Sequence, residues 1–213
     1  MIFRDRTDAG QRLAAKLAKY AGRPDVIVLA LPRGGVPIGY EVARALGAPL
    51  DVFLVRKLGV PGREELAMGA IASGGVRVVN DEVVQALGIT DEELDAAAAE
   101  QEQELQRREE AYRDGRPAPD LAGKTVILVD DGLATGSTMR AAVEAVRQHD
   151  PARVVVAVPV GAGDTCRAFR QIADEVVCVQ APEPFFAVGN WYGEFTQTTD
   201  DEVTELLGRT VHS

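Results

Sequence analysis

Val126-Ile127-Leu128-Val129-Asp130-Asp131-Gly132-Leu133-Ala134-Thr135-Gly136-Ser137-Thr138-Met139 is the stretch from which the rest of the chain can be ordered. Its apolar opening is a strand buried on both faces, the kind found inside a parallel sheet. Two carboxylates stand at its carboxyl end. Gly132 and Gly136 permit a tight turn and close approach of a ligand to the backbone, and a helix begins at Ser137. The hydroxyls of Thr135, Ser137 and Thr138, with the unpaired N–H groups of the helix start, make a phosphate cradle. Carboxylates do not bind phosphate. They accept hydrogen bonds from sugar hydroxyls or hold a metal through water. Acids leading into a phosphate cradle predict a phosphorylated sugar as ligand. A phosphoacceptor receiver domain also pairs acids after an apolar strand, but it needs a lysine downstream. The lysines here are Lys16, Lys19, Lys57 and Lys124, and none follows the acids.

Working outward, strands and helices alternate. Val26–Leu31 predicts another strand buried on both faces, broken by Pro32-Arg33-Gly34-Gly35, with a helix over Val36–Leu46. Leu50–Val55 is the next strand, and Arg56–Leu66, polar and rich in Gly and Pro, reads as a mobile loop. Met68–Ala72 and Val76–Val79 are short strands joined at Ser73-Gly74-Gly75. After the central motif come a strand at Val154–Val158, a helix at Asp164–Ile172, a strand at Glu175–Val179, a loop at Ala181–Tyr192 and a final helix at Asp200–Leu207. An amino-terminal helix, capped by Thr7 or Asp8, runs to about Tyr20. This alternation predicts an α/β fold with an open parallel sheet flanked by helices. Ligands bind such sheets at the carboxyl ends of the strands. Asp81–Leu87 and Asp91–Tyr112 are expected as a helical insertion at about 81–115 within a single domain, 1–213. The second of these helices has few apolar residues and reads as a solvated arm or a partner-binding helix.

With 213 residues the chain is long enough to bury a core unaided. Its formal charge is −10, which argues against nucleic acid as a partner. Between Asp91 and Gly115 there are ten acids and three bases, net −7, so the remainder carries −3 and can hold a basic pocket. No apolar run reaches the ~18 residues of a membrane span, and Met1–Arg6 leads into no apolar segment. A cytoplasmic protein is expected, with Cys166 and Cys178 as free thiols. No Ser/His/Asp or Cys/His set stands out, and His149 and His212 are expected to be structural or solvated.

The Val126–Met139 string resembles the motif that binds 5-phosphoribosyl-1-pyrophosphate (PRPP) in type I phosphoribosyltransferases, and most of all the adenine enzyme's version. The resemblance implies that Asp130 and Asp131 hold the ribose 2- and 3-hydroxyls and, indirectly, Mg²⁺. It implies that Ala134, Thr135, Gly136, Ser137 and Thr138 cradle the 5-phosphate. Leu31–Gly39 is similar to the family's pyrophosphate loop, which implies that Arg33, Gly34 and Gly35 bind PRPP and that the Pro32–Arg33 peptide is cis. Arg56-Lys57 resembles the pair opening the flexible loop of the adenine and orotate enzymes, with that loop at about Leu58–Met68. Arg56, Lys57, Asp130 and Asp131 are then the residues of the chemistry.

Phe185-Phe186-Ala187-Val188-Gly189 resembles the purine enzymes' base-stacking hood, here at about 180–198. Phe186 would stack on the acceptor and Val188 would offer backbone hydrogen bonds, although a hydrophobic plug fits the same residues. Gly193 stands where an acid is usual, with Glu194 one step on. Ala134 replaces the aspartate of hypoxanthine- and xanthine-type enzymes, and Val158–Ala162 lacks their lysine, so a 6-oxopurine acceptor is disfavoured. The implied activity is that of a pentosyltransferase using PRPP, Mg²⁺ and a small nitrogenous acceptor, as a homodimer. The alternative is a PRPP-sensing regulator without transferase activity.

Overall fold

A computed structural model describes residues 2–210; His212 lies outside them. The central sheet contains β1 (Val26–Ala30), β2 (Leu50–Val52), β6 (Thr125–Val129), β7 (Arg153–Val160) and β8 (Glu175–Gln180). All are parallel, in the order β2-β1-β6-β7-β8. A second, antiparallel sheet holds β3 (Val55–Val60), β4 (Arg63–Ala72) and β5 (Val76–Val79).

The side-chain period of two explains why the central strands are apolar throughout. Val26, Val28 and Ala30 of β1 join Ile127 and Val129 in a core under α1 (Arg6–Lys16), α2 (Gly35–Leu46) and α7 (Asp200–Thr210). Ile27 and Leu29 join Val126, Leu128 and Val156 in a second core, under α5 (Ser137–Arg147) and α6 (Gly163–Phe169). The sheet is therefore covered on both faces. In register, Ala30 lies opposite Val129, so β1 and β6 end side by side and their following turns meet.

Three expectations are corrected. Arg56–Leu66 is not a loop but a hairpin of β3 and β4. Leu58 and Met68 are fully buried, and only the tip near Gly62 (φ 75°) is a turn. The glycines and proline that read as loop signals serve a bulge at Gly59 and the tip. The acidic segment is likewise no solvated arm. Beyond α3 (Asp81–Leu87), α4 (Asp91–Arg113) buries Ala98, Leu105 and Tyr112 in the first core. Arg113, also buried, pairs with Asp51 at 3.0 Å and Glu109 at 3.2 Å. The acids Asp91, Glu92 and Glu93 belong to the first turn, where the helix dipole favours them, and Thr90 with Glu93 forms a capping box. α1 is capped by Asp5, not Thr7 or Asp8. Cys166 and Cys178 are free thiols.

Candidate active site

The turn after β1 and the turn after β6 are in contact. Gly34 and Gly35 are glycines because of that contact. A Cβ on Gly34 would sit 2.0 Å from Asp131 Oδ2, and one on Gly35 would sit 2.7 Å from the Val129 carbonyl oxygen and 3.0 Å from Asp130 Cα. Neither needs a left-handed conformation, so close approach explains them. The Pro32–Arg33 peptide is cis, as the resemblance implies.

The Asp130 and Asp131 side chains are half-buried. Burial and the neighbouring Asp131 charge push the Asp130 carboxyl well above the ordinary carboxylate range. Burial raises Asp131 as well, opposed by the Arg6 guanidinium, whose Nε and Nη2 donate to Asp131 Oδ2 at 3.1 and 2.9 Å. The Asp131 amide donates to Asp130 Oδ1 at 2.8 Å. Among the described residues no cation lies within ion-pairing distance of Asp130.

Past the acids, Leu133 and Met139 are buried and anchor the turn, while Ala134, Thr135, Ser137 and Thr138 are exposed. Gly136 (φ 78°) takes the left-handed conformation that turns the chain into α5, and Phe169 and Thr165 leave its Cα no room for a side chain. The Leu133 amide donates to the Val160 carbonyl at 2.9 Å, and Thr165 Oγ1 donates to the Ala134 carbonyl at 2.7 Å. The turn is thus a braced backbone loop whose Ala134, Thr135, Ser137 and Thr138 face solvent at a helix start.

The family model described as "Phosphoribosyl transferase domain" matches residues 4–192. The chain belongs to this family. It is 52% identical over 208 residues to "Putative phosphoribosyl transferase Rv0571c" of Mycobacterium tuberculosis strain H37Rv, covering 98% of this chain and 47% of that protein. The chain thus spans about half the length of that relative. It is 34% identical to "Bifunctional protein PyrR" of Chloroflexus aurantiacus over 134 residues, 62% of this chain and 68% of that one. The crystal structure of TT1426 from Thermus thermophilus superposes with a TM-score of 0.85 at 45% identity, covering 97% of this chain and 98% of the other. The sheet order and flanking helices are those of the type I phosphoribosyltransferase fold.

In this phosphoribosyl transferase domain, the residues singled out from sequence fall into two groups. Arg33, Gly34, Gly35, Asp130, Asp131 and Ala134–Thr138 are brought together at the adjoining ends of β1 and β6. Arg56 and Lys57 sit on β3 and are separated by the strand's alternation. Arg56 lines a small cavity with Leu31, Pro32 and Thr138, and its Nε donates to Gln101 Oε1 of α4 at 2.9 Å. Lys57 lines a separate cleft with Thr135, Ser137 and Arg140. Phe186 is 79% exposed in the hood, and Val188 packs its methyls against Gly132, where a Cβ would meet them at 2.5 Å. Tyr192 is buried against Phe3 and Phe195 and donates its hydroxyl to the Asp131 carbonyl at 2.5 Å. His149 lies near Gly74, away from these residues.

Arg6 went unnoticed in the sequence. It joins three elements: it pairs with Asp131, donates from Nη1 to the Thr196 carbonyl at 2.6 Å, and lies 4.1 Å over the Phe195 ring. A lone arginine in a helix's first turn, 125 residues from its partner, gives no local signal.

Proposed function

We propose that the chain transfers the 5-phosphoribosyl group of PRPP to a nitrogenous acceptor and releases pyrophosphate. The observation that carries this reading is the contact of Gly34 and Gly35 with the Asp130–Asp131 pair. It supports the reading because an anion-binding turn, two sugar-binding acids and a phosphate cradle at these neighbouring turns would follow the order in which PRPP carries its pyrophosphate, ribose and 5-phosphate. The Ala134–Thr138 amides and hydroxyls take the 5-phosphate. Asp130 and Asp131 accept hydrogen bonds from the ribose 2- and 3-hydroxyls. Arg33, with the Gly34 and Gly35 amides, binds the pyrophosphate, and Arg56 and Lys57 add charge on either side of the hairpin.

The bond from the anomeric carbon to the pyrophosphate oxygen breaks, and the leaving group keeps the electron pair. The acceptor nitrogen bonds to the same carbon and loses its proton. The transition state has oxocarbenium character, so catalysis rests on positioning and on positive charge fixed around the departing pyrophosphate. Mg²⁺ supplies further charge to that leaving group when bound. Asp130, which has no paired cation among the described residues, could hold the ion through water while phosphate oxygens of PRPP supply the other ligands. Phe186 offers a face for a flat acceptor and Val188 its backbone groups. Ala134 disfavours a 6-oxopurine.

The test is a panel of nucleobases and amines offered with PRPP and Mg²⁺, with pyrophosphate release as the readout. The transferase reading predicts release that depends on at least one acceptor. Tight PRPP binding without release from any acceptor would replace it with the sensing reading.

A further inference from the structure

α4 brings a positive charge to the pyrophosphate side of the site from outside the strand-end loops. Arg108 and Tyr112, one turn apart on the same helix face, line the small cavity that also touches Leu31, Pro32, Arg56 and Thr138. Leu31 and Pro32 lead into Arg33, and Thr138 closes the phosphate cradle, so the cavity lies beside the expected leaving group. The same helix steadies Arg56 through Gln101. Tyr112 donates its hydroxyl to Asp200 Oδ1, and Arg33 Nη1 lies 4.0 Å from that oxygen. α4, α7 and the turn after β1 therefore converge at one polar junction. The Tyr112 phenol, pushed up to about 12 by burial and by its bond to Asp200, feels both Arg108 and Arg33 as opposing positive charges.

Arg108 is free to serve a ligand. Its Nε donates to Glu104 Oε1 at 2.8 Å, but Arg107 also holds Glu104 with two bonds of 2.9 Å. Arg108 can turn away without leaving that carboxylate unpaired. The charge pattern of α4 fits such a role: its three bases, Arg107, Arg108 and Arg113, are confined to the end nearest the site, while most of its acids lie towards the other end.

We propose that Arg108 is a further pyrophosphate-binding residue, laid by α4 over the leaving-group pocket across from Arg33 and Arg56. The assignment rests on the PRPP reading above. It makes the helical insertion part of the site and not only a buttress for the hairpin.

The test is calorimetric titration of PRPP, inorganic pyrophosphate and ribose 5-phosphate, each with Mg²⁺, into wild type, Arg108→Gln and Arg108→Lys. Arg108→Gln is expected to weaken PRPP and pyrophosphate by about ten-fold or more, the effect of one charged hydrogen bond. Ribose 5-phosphate affinity and the melting temperature should stay at the wild-type values, and lysine should recover part of the loss. Equal PRPP affinity in wild type and Arg108→Gln, or a parallel loss of ribose 5-phosphate binding, would overturn the assignment and leave the PRPP reading standing. Failure of the wild type to bind either PRPP or pyrophosphate would remove that reading and the assignment with it.

Discussion

Gly34→Ala isolates the contact on which the site depends. Gly34 has φ −60° and ψ −30°, an ordinary conformation for alanine, so the backbone pays no penalty. The cost comes from packing. The new Cβ would lie 2.0 Å from Asp131 Oδ2 and 2.7 Å from Asp131 Cγ, about 1.5 Å inside a comfortable heavy-atom separation of ~3.5 Å. Asp131 must swing away, and both bonds from Arg6 end on the same displaced oxygen. Hydrogen bonds to charged groups contribute about 1.5–3 kcal/mol each. The pair is mostly buried, at 12% and 18% side-chain exposure, but the two bonds share an acceptor and water regains part of the loss. A total cost of about 2–4 kcal/mol follows. For a chain of this size that is a fall in Tm of roughly 5–15 °C. PRPP affinity should drop by about ten-fold or more, because Asp131 no longer faces the ribose.

Scanning calorimetry and isothermal titration measure the two effects. A cycle with Arg6→Met adds a mechanism check: if alanine acts by dislodging Asp131 from Arg6, the double variant is scarcely worse than the worse single. A Tm within about 1 °C of wild type, or full additivity in the cycle, would refute the argument.

Further outcomes follow from the same geometry. Asp130→Asn should raise thermal stability at neutral pH, since the amide oxygen can still accept from the Asp131 N–H while the buried charge is gone. Because the folded carboxyl holds its proton more tightly than the unfolded one, the wild type loses stability as pH rises from the unfolded value through the raised folded value. The gap in favour of the variant should therefore widen from pH 4 to 8 in melting curves; a gap that narrows contradicts the placement of Asp130. Gly136→Ala should destabilise by about 2–4 kcal/mol in urea titrations and weaken PRPP binding, because its φ of 78° and the 2.5 Å approach to Phe169 both oppose a side chain. Arg113→Met leaves the Asp51 and Glu109 carboxylates facing one another in a buried setting. A loss of about 3–5 kcal/mol is expected by the same measurement, and a neutral result would contradict the buttressing role of α4.

The parallel sheet and the strand-turn-helix at Val126–Met139 were legible because their signals are local. Val26–Ala30, Val126–Val129 and Val154–Val158 are unbroken apolar runs, and two acids leading into a turn of glycines and hydroxyls have few other uses. The hairpin was not, because Gly59, Pro61 and Gly62 are equally apt for a loop and for a bulge with a tight turn. Only the pairing of β3 with β4 decides between them. The sequence of α4 reads as solvated because its buried residues Ala98, Leu105 and Tyr112 recur only every seven positions, too sparsely to mark an apolar stripe. Arg6 acts on residues far along the chain, and nothing in its immediate surroundings distinguishes it from a surface arginine.

The most direct measurement is the calorimetric titration of PRPP with Mg²⁺ into wild type and into the Asp130→Asn/Asp131→Asn double variant. The account predicts saturable binding by the wild type, and its loss in a variant that still melts cooperatively. A wild type that does not bind PRPP, or a double variant that binds it as well as wild type does, would contradict the account.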